Sequence, residues 1–150
     1  MPLQYTDGEF EGKKLLIVEG SLDDTVDLAP FEDPSYTYVD CEKLNRMLSV
    51  GIRKWVLTLK ARPSDAPLYF VRCSVMFVEQ LNVIDGFVGN SEVQSFFAPY
   101  ICEDCDEEHA FLLKKDDVVD SEAPSKTCPS CSKELEFDED EDEFFEFLED

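Results

Sequence analysis

Hydrophobic positions along the chain fall first into strand-like runs, then into a helical stripe, then into runs again. "KKLLIVEG" (13–20) is a short apolar run closed by Gly, and "YTYVDC" (36–41) is β-branched and aromatic; both read as core strands. Residues 1–13 are polar and read as a loose arm or a first edge strand, and 21–35 read as a loop with a short helix near 25–31. From Ser49 the period changes. Ile52, Trp55, Val56 and Leu59 follow helical spacing, with Arg53, Lys54 and Lys60 off the stripe, and Pro63 ends the run. "APLYFVRC" (66–73) predicts another buried strand, "SVMFVEQLNVI" (74–84) a helix capped by Ser74, "GFVGN" a turn or short strand, and "EVQSFFAPYIC" (92–102) an extended aromatic segment. This order predicts an α/β fold, a mixed sheet packed with helices.

Composition narrows the picture. At 150 residues and 43% hydrophobic, the chain suits one main domain plus a small module. No apolar run approaches the ~18 residues of a membrane helix. The N-terminal segment carries acids and no apolar h-region, which points to the cytoplasm. The formal net charge of −22 disfavours direct binding of nucleic acid or an anionic membrane and favours basic protein partners. Half of that charge is local: residues 134–150 hold eleven acids and no Lys or Arg.

Six cysteines add candidate chemistry. Cys102, Cys105, Cys128 and Cys131 form two Cys-x-x-Cys pairs separated by the 22 residues 106–127. Two such pairs can complete a sulfur-only tetrahedron, the pattern of a structural Zn2+ site, and metal would supply folding energy that a segment so poor in apolar residues lacks. Another thiolate-bound metal, or a redox dithiol or disulfide, are the competing readings. His109 is the only histidine and reads as a packed or surface residue rather than a ligand; Cys41 and Cys73 read as buried core thiols. The expected organisation is a domain over 1–100, a zinc-ribbon module over 101–133 and an acidic-aromatic tail over 134–150.

Residues 36–60, "YTYVDCEKLNRMLSVGIRKWVLTLK", join a core strand to a Ser-Val-Gly helix start. With "LLIVEGSLDD" (15–24) and "PLYFVRCSVMFVEQLNVI" (67–84), they resemble the STAS domain of bacterial anti-sigma-factor antagonists over roughly residues 13–90. In that likeness Asp40 takes the strand-end position, an eight-residue connection follows, Ser49 takes the phosphorylated serine and Gly51 the glycine; Leu48 and Val50 stand where the family has Asp and a second Ser. The resemblance implies a partner such as an anti-sigma factor or its serine kinase, docking at Asp40, Ser49, Val50 and Gly51. Some STAS relatives bind nucleotides or lipids. From the residues alone, Ser49 is a helix cap, a phospho-switch or part of a docking surface.

The tail has two open readings. It is either a solvated, disordered segment or an acidic-aromatic motif that folds on a basic partner, with Phe144, Phe147 and Leu148 on one helical face. Catalysis has little to work with: one His, no phosphate-binding loop, and acids too numerous for a pair to be informative. Asp23, Asp24 and Asp27 offer at most a weak cation site against a solvated-loop reading. The expected function is a non-enzymatic regulatory protein-interaction domain with no small-molecule substrate. The alternative is a zinc-ribbon adaptor of the transcription machinery that binds a basic partner through its ribbon and tail.

Overall fold

The computed structural model describes residues 3–148. Met1, Pro2, Glu149 and Asp150, which open the expected arm and close the expected tail, lie outside them. Strand β1 (Gln4–Phe10) pairs antiparallel with β2 (Lys13–Leu22) as the sheet edge. Their two-residue turn, Glu11-Gly12, has positive φ at both positions (50° and 78°), the twist-matched geometry of a tight hairpin. Strand β3 (Tyr38–Met47), helix α1 (Ser49–Ala61), strand β4 (Tyr69–Val71), helix α2 (Val75–Val83) and strand β5 (Glu92–Val93) follow. Strands β2 to β5 run parallel in sequential order. Trp55 and Leu59 of α1 and Phe77 of α2 share one core, so both helices pack on the same face of the sheet.

Side-chain alternation follows from that layering. Leu16, Val18, Val39, Cys41 and Phe70 point to the helix side and share one core with Trp55, Leu59 and Phe77. Leu15, Tyr38 and Val71 form a small separate cluster with Phe10, Ile17 and Tyr69 on the other face. Trp55 is fully buried. Phe31, Phe70, Phe77 and Phe87 surround its ring at centroid distances of 4.8 to 6.1 Å, and its indole N–H donates to the Phe87 carbonyl at 3.0 Å. The ring thus buries a large apolar area without orphaning its one polar atom.

A second, antiparallel sheet has the order β7-β6-β8, with β6 (Ser95–Cys102) central between β7 (Glu107–Lys114) and β8 (Glu136–Phe137). The expected boundary between residues 100 and 101 falls inside β6. Phe96, Tyr100, Leu113 and Leu135 belong to the same continuous core as Trp55.

Three expectations are corrected. Asp40 does not end its strand: β3 stays paired with β2 as far as Met47, aided by irregularities near Val18 and between Gly20 and Ser21, so Leu48 alone links strand to helix. Ser49 is not the cap: Leu48 holds the N-cap position, its carbonyl accepting from Ile52 N–H at 2.9 Å. The acidic-aromatic segment neither dangles nor waits for a partner. It forms β8 and the short helix α3 (Glu141–Phe144), then a 3-10 turn (Glu146–Leu148), all packed on α2 and β6. Phe144 and Phe145 are buried, whereas Phe147 and Leu148 are half-buried, so the buried pair is adjacent rather than on the expected helical face. Asn82 of α2 clamps the segment: its amide donates to Phe144 O and accepts from Phe147 N–H, both at 2.9 Å. Aromatic burial outweighs charge repulsion here because the acids can point outward, where water screens them.

The loop before β3 depends on a buried cation. Arg62, at the C-terminal end of α1, donates to the carbonyls of Phe31, Asp33, Tyr36 and Ala66 at 2.6 to 3.1 Å. A planar guanidinium can serve four acceptors at once; an ammonium cannot. Arg62→Met should therefore destabilise the fold by about 3 kcal/mol in urea titrations, with Arg62→Lys recovering little of the loss. Stability near wild type in either variant would contradict this role.

Candidate metal centre and docking surface

The four paired cysteines come together. Cys102 ends β6, Cys105 lies in the turn into β7, and Cys128 and Cys131 lie in the loop before β8. Their Sγ atoms all fall within 4.8 Å of one another, and Cys102 and Cys131 are 3.6 Å apart. A tetrahedral ion with sulfur at about 2.3 Å needs sulfur–sulfur edges of roughly 3.8 Å. The donor set therefore fits one metal ion held by four thiolates and is compatible with zinc. Among the described residues it is the one group of three or more potential ligands so placed.

The two knuckles have matching backbones. The residue after each second cysteine, Asp106 and Ser132, has a left-handed φ (54° and 65°), which folds the chain back under the sulfurs. In the second knuckle Ser132 N–H donates to Cys128 O at 2.9 Å and Cys128 N–H to Lys133 O at 2.8 Å. An exposed ion pair at 2.9 Å, Lys133 to Asp104, joins one knuckle to the other.

The thiols differ in how readily they ionise. Burial pushes the Cys128 thiol up, but the N–H groups of Cys131 and Ser130 and the neighbouring thiols outweigh it and bring it down to about 6. Cys105 is pushed well up, first by its hydrogen bond with Cys131 and then by burial. The N–H of Cys105 favours the Cys102 thiolate, yet burial and hydrogen bonds with the other thiols leave Cys102 raised as well. The Cys128 thiolate forms readily, whereas Cys102 and Cys105 resist joining it; a central divalent ion would remove that resistance.

His109 lies beside this cluster, its Nε2 3.9 Å from Cys128 Sγ and 3.7 Å from a Glu107 carboxylate oxygen. It is half-buried, not a fifth member of the cluster. Glu107 pairs with Cys102 across the hairpin, so His109, two residues along β7, faces the same side. Cys41 and Cys73 are fully buried, away from this site in role, as core thiols.

The four residues of the expected docking site separate into three environments. Asp40 is the third residue of β3, roughly 30 Å of extended chain from the start of α1. It faces away from the helices, accepts from Glu42 N–H at 3.0 Å and pairs with Arg72 at 3.5 Å. Ser49 and Val50 are exposed at the start of α1. Gly51 is buried against the chain itself: a Cβ there would lie 2.3 Å from Leu22 C and 2.5 Å from Asp23 N. Its smallness serves the approach of α1 to β2, where Leu48 N–H donates to Leu22 O at 2.8 Å.

Ser49 sits at the mouth of a groove of ≈ 420 Å³ between α1 and α2, with Ile52, Val56, Leu57 and Ile84 along it. Among the described residues its hydroxyl has no hydrogen-bond partner, and no acid lies in the first turn of α1. Leu57 is 61% exposed and Val50 53%, the apolar surface this face presents to solvent. Two of the three aspartates read as a weak cation site are engaged locally: Asp23 accepts from Thr25 N–H and Oγ1, and Asp27 accepts from Ala29 N–H. No helix among the described residues is long and apolar enough to cross a membrane.

No protein-family model matches this sequence, and no curated protein is significantly similar to it. The likeness to the STAS domain rests on the quoted motifs alone.

Two substitutions separate the roles on α1. Ser49→Ala should leave stability within about 0.5 kcal/mol of wild type, because no capping bond is lost; a capping serine would cost about 1 kcal/mol. Gly51→Ala should cost about 2 kcal/mol despite the better helix propensity of Ala, because backbone rather than a flexible side chain stands in the way. Chemical denaturation of both variants checks the pair, and the opposite ranking would refute it.

Proposed function

We propose that this protein is a non-enzymatic regulatory interaction domain of the STAS-like kind, with a structural zinc site and a docking face at the start of α1. The observation that carries the reading is the exposed Ser49 hydroxyl in the lining of the α1–α2 groove, without a hydrogen-bond partner among the described residues. A hydroxyl that does no structural work there is available to a partner or a kinase. In phosphorylation, Ser49 Oγ would form a bond to the γ-phosphorus of a nucleoside triphosphate. The diphosphate would leave with the electrons of the broken P–O bond, and the hydroxyl proton would pass to the kinase's base. The product would add about two negative charges at the positive end of the α1 dipole, which tolerates them. The helix would persist and the change would fall on the docking face. The implied partner is an anti-sigma factor or serine kinase.

Zinc is the preferred ion, because four cysteine sulfurs closing a tetrahedron leave no position for substrate, the arrangement of structural rather than catalytic sites. Bound zinc would hold β6, β7 and the loop before β8 in register. Metal analysis of protein purified without chelator should find one zinc per chain, and a strong chelator should lower the melting temperature. Metal-free protein with unchanged stability would reject the site.

A second reading keeps a specific observation in its favour. With Phe144 and Phe145 turned inward, Asp142, Glu143 and Glu146 form an exposed acidic ridge beside the ribbon. That ridge suits a basic partner of an adaptor protein. Affinity capture from native cells should discriminate. Loss of the partner with Ser49→Asp, and retention when Asp142 and Glu143 are changed to Lys, supports the docking face. The reverse pattern supports the ridge.

A further inference from the structure

The α1–α2 groove has an unusual charge for this chain. Acids outnumber bases 35 to 13, yet no acid lines the groove and α1 carries three bases and no acid. Lys54 is occupied, its ammonium donating to Asp24 O at 2.6 Å. Arg53 lies in the groove wall, exposed, and among the described residues it has no ion-pair partner. By contrast Arg72 is held by two carboxylates and Arg62 by four carbonyls. An unpaired guanidinium beside an apolar trough is complementary to a segment with apolar anchors and carboxylate flanks.

We infer that this groove receives an acidic amphipathic helix of a partner protein, with Arg53 as its charge contact. Apolar anchors spaced one helical turn apart would seat against Ile52, Val56 and Ile84, the helix-in-groove mode of recognition. A carboxylate on the flank would meet Arg53. The net charge of −22 opposes an acidic partner at long range, but that field is screened beyond about 8 Å at physiological salt, whereas the contact with Arg53 is not.

The inference rests on the docking face proposed above and gives it a mechanism. Ser49 and Arg53 are four residues apart on α1 and both line the groove. Side chains at that spacing are neighbours. A negative group at Ser49 would pair with Arg53 and remove the cation the partner helix needs. Docking would then be shut off without any change of fold.

The probes are synthetic amphipathic helical peptides with leucine anchors fixed at the groove spacing and flanks of either Glu or Lys. Binding is read by fluorescence anisotropy and by methyl NMR of Ile52, Val56, Leu57 and Ile84. Glu-flanked peptides should bind and perturb those methyls, and Lys-flanked peptides should not. Arg53→Gln and Ser49→Asp should each weaken binding by about fivefold. The double variant should lose less than the product of the two, because both act on one charge. Failure of every Glu-flanked peptide, equal binding of the Lys-flanked set, or additive losses would overturn the inference. So would a dimer in sedimentation that Leu57→Glu disperses, since a second copy would then fill the groove. A native partner that responds to Ser49→Asp while the Glu-flanked peptides fail would leave the docking face standing and remove the acidic occupant; insensitivity of both would remove the two together.

Discussion

The two sheets of this protein are joined through the backbone of Cys73. Its N–H donates to Ser95 O at 3.2 Å, and its carbonyl accepts from Phe97 N–H at 2.8 Å. The residue before it, Arg72, has a left-handed φ of 53° that turns the chain out of β4, and its N–H bonds to Ser95 Oγ. This junction sets where β6 begins. With that start set, Phe96 meets the aromatic C-terminal segment, Tyr100 fills the second sheet, and Cys102 emerges at the metal cluster. The β-sheet period of two places these residues on one face. A slip of one residue would send all of them outward.

From that frame the molecule divides its surface by charge. The C-terminal segment keeps its phenylalanines against Phe96 and α2 and turns its acids to water. The α1–α2 groove, by contrast, has no acid in its lining. A strongly acidic chain thus holds one neutral-to-basic apolar surface. Such segregation is informative because scattered exposed apolar residues are ordinary, whereas an apolar strip cleared of the chain's commonest charge is not.

Much of the local structure was legible. The helical stripe through Trp55 and Leu59, the Ser74 cap, whose side chain accepts from Phe77 N–H, and the strand around Phe70 follow from periodicity and cap chemistry. The four-cysteine cluster follows from spacing, since two Cys-x-x-Cys pairs have few other ways to satisfy their thiols. Asp40 and Ser49 were misplaced for one reason. A polar, irregular stretch such as "EKLNRM" has no apolar alternation, and its extension as β3 comes from pairing with β2 rather than from its own residues. The acidic segment was misread because composition reports what a segment repels, not which apolar wall lies nearby.

The sequence by itself determined the stripe of α1, the cap of α2, the four candidate metal donors and the excess of negative charge, because periodicity, cap chemistry, cysteine spacing and ionisable groups are local properties. Only the tertiary structure decided that Gly51 serves the chain's own β2, that His109 stands beside Cys128, and that the tail phenylalanines are core. It also decided that Ser49 and Arg53 share an acid-free groove. Each of these depends on which surfaces meet across the fold, and contacts between residues distant in sequence leave no period along the chain.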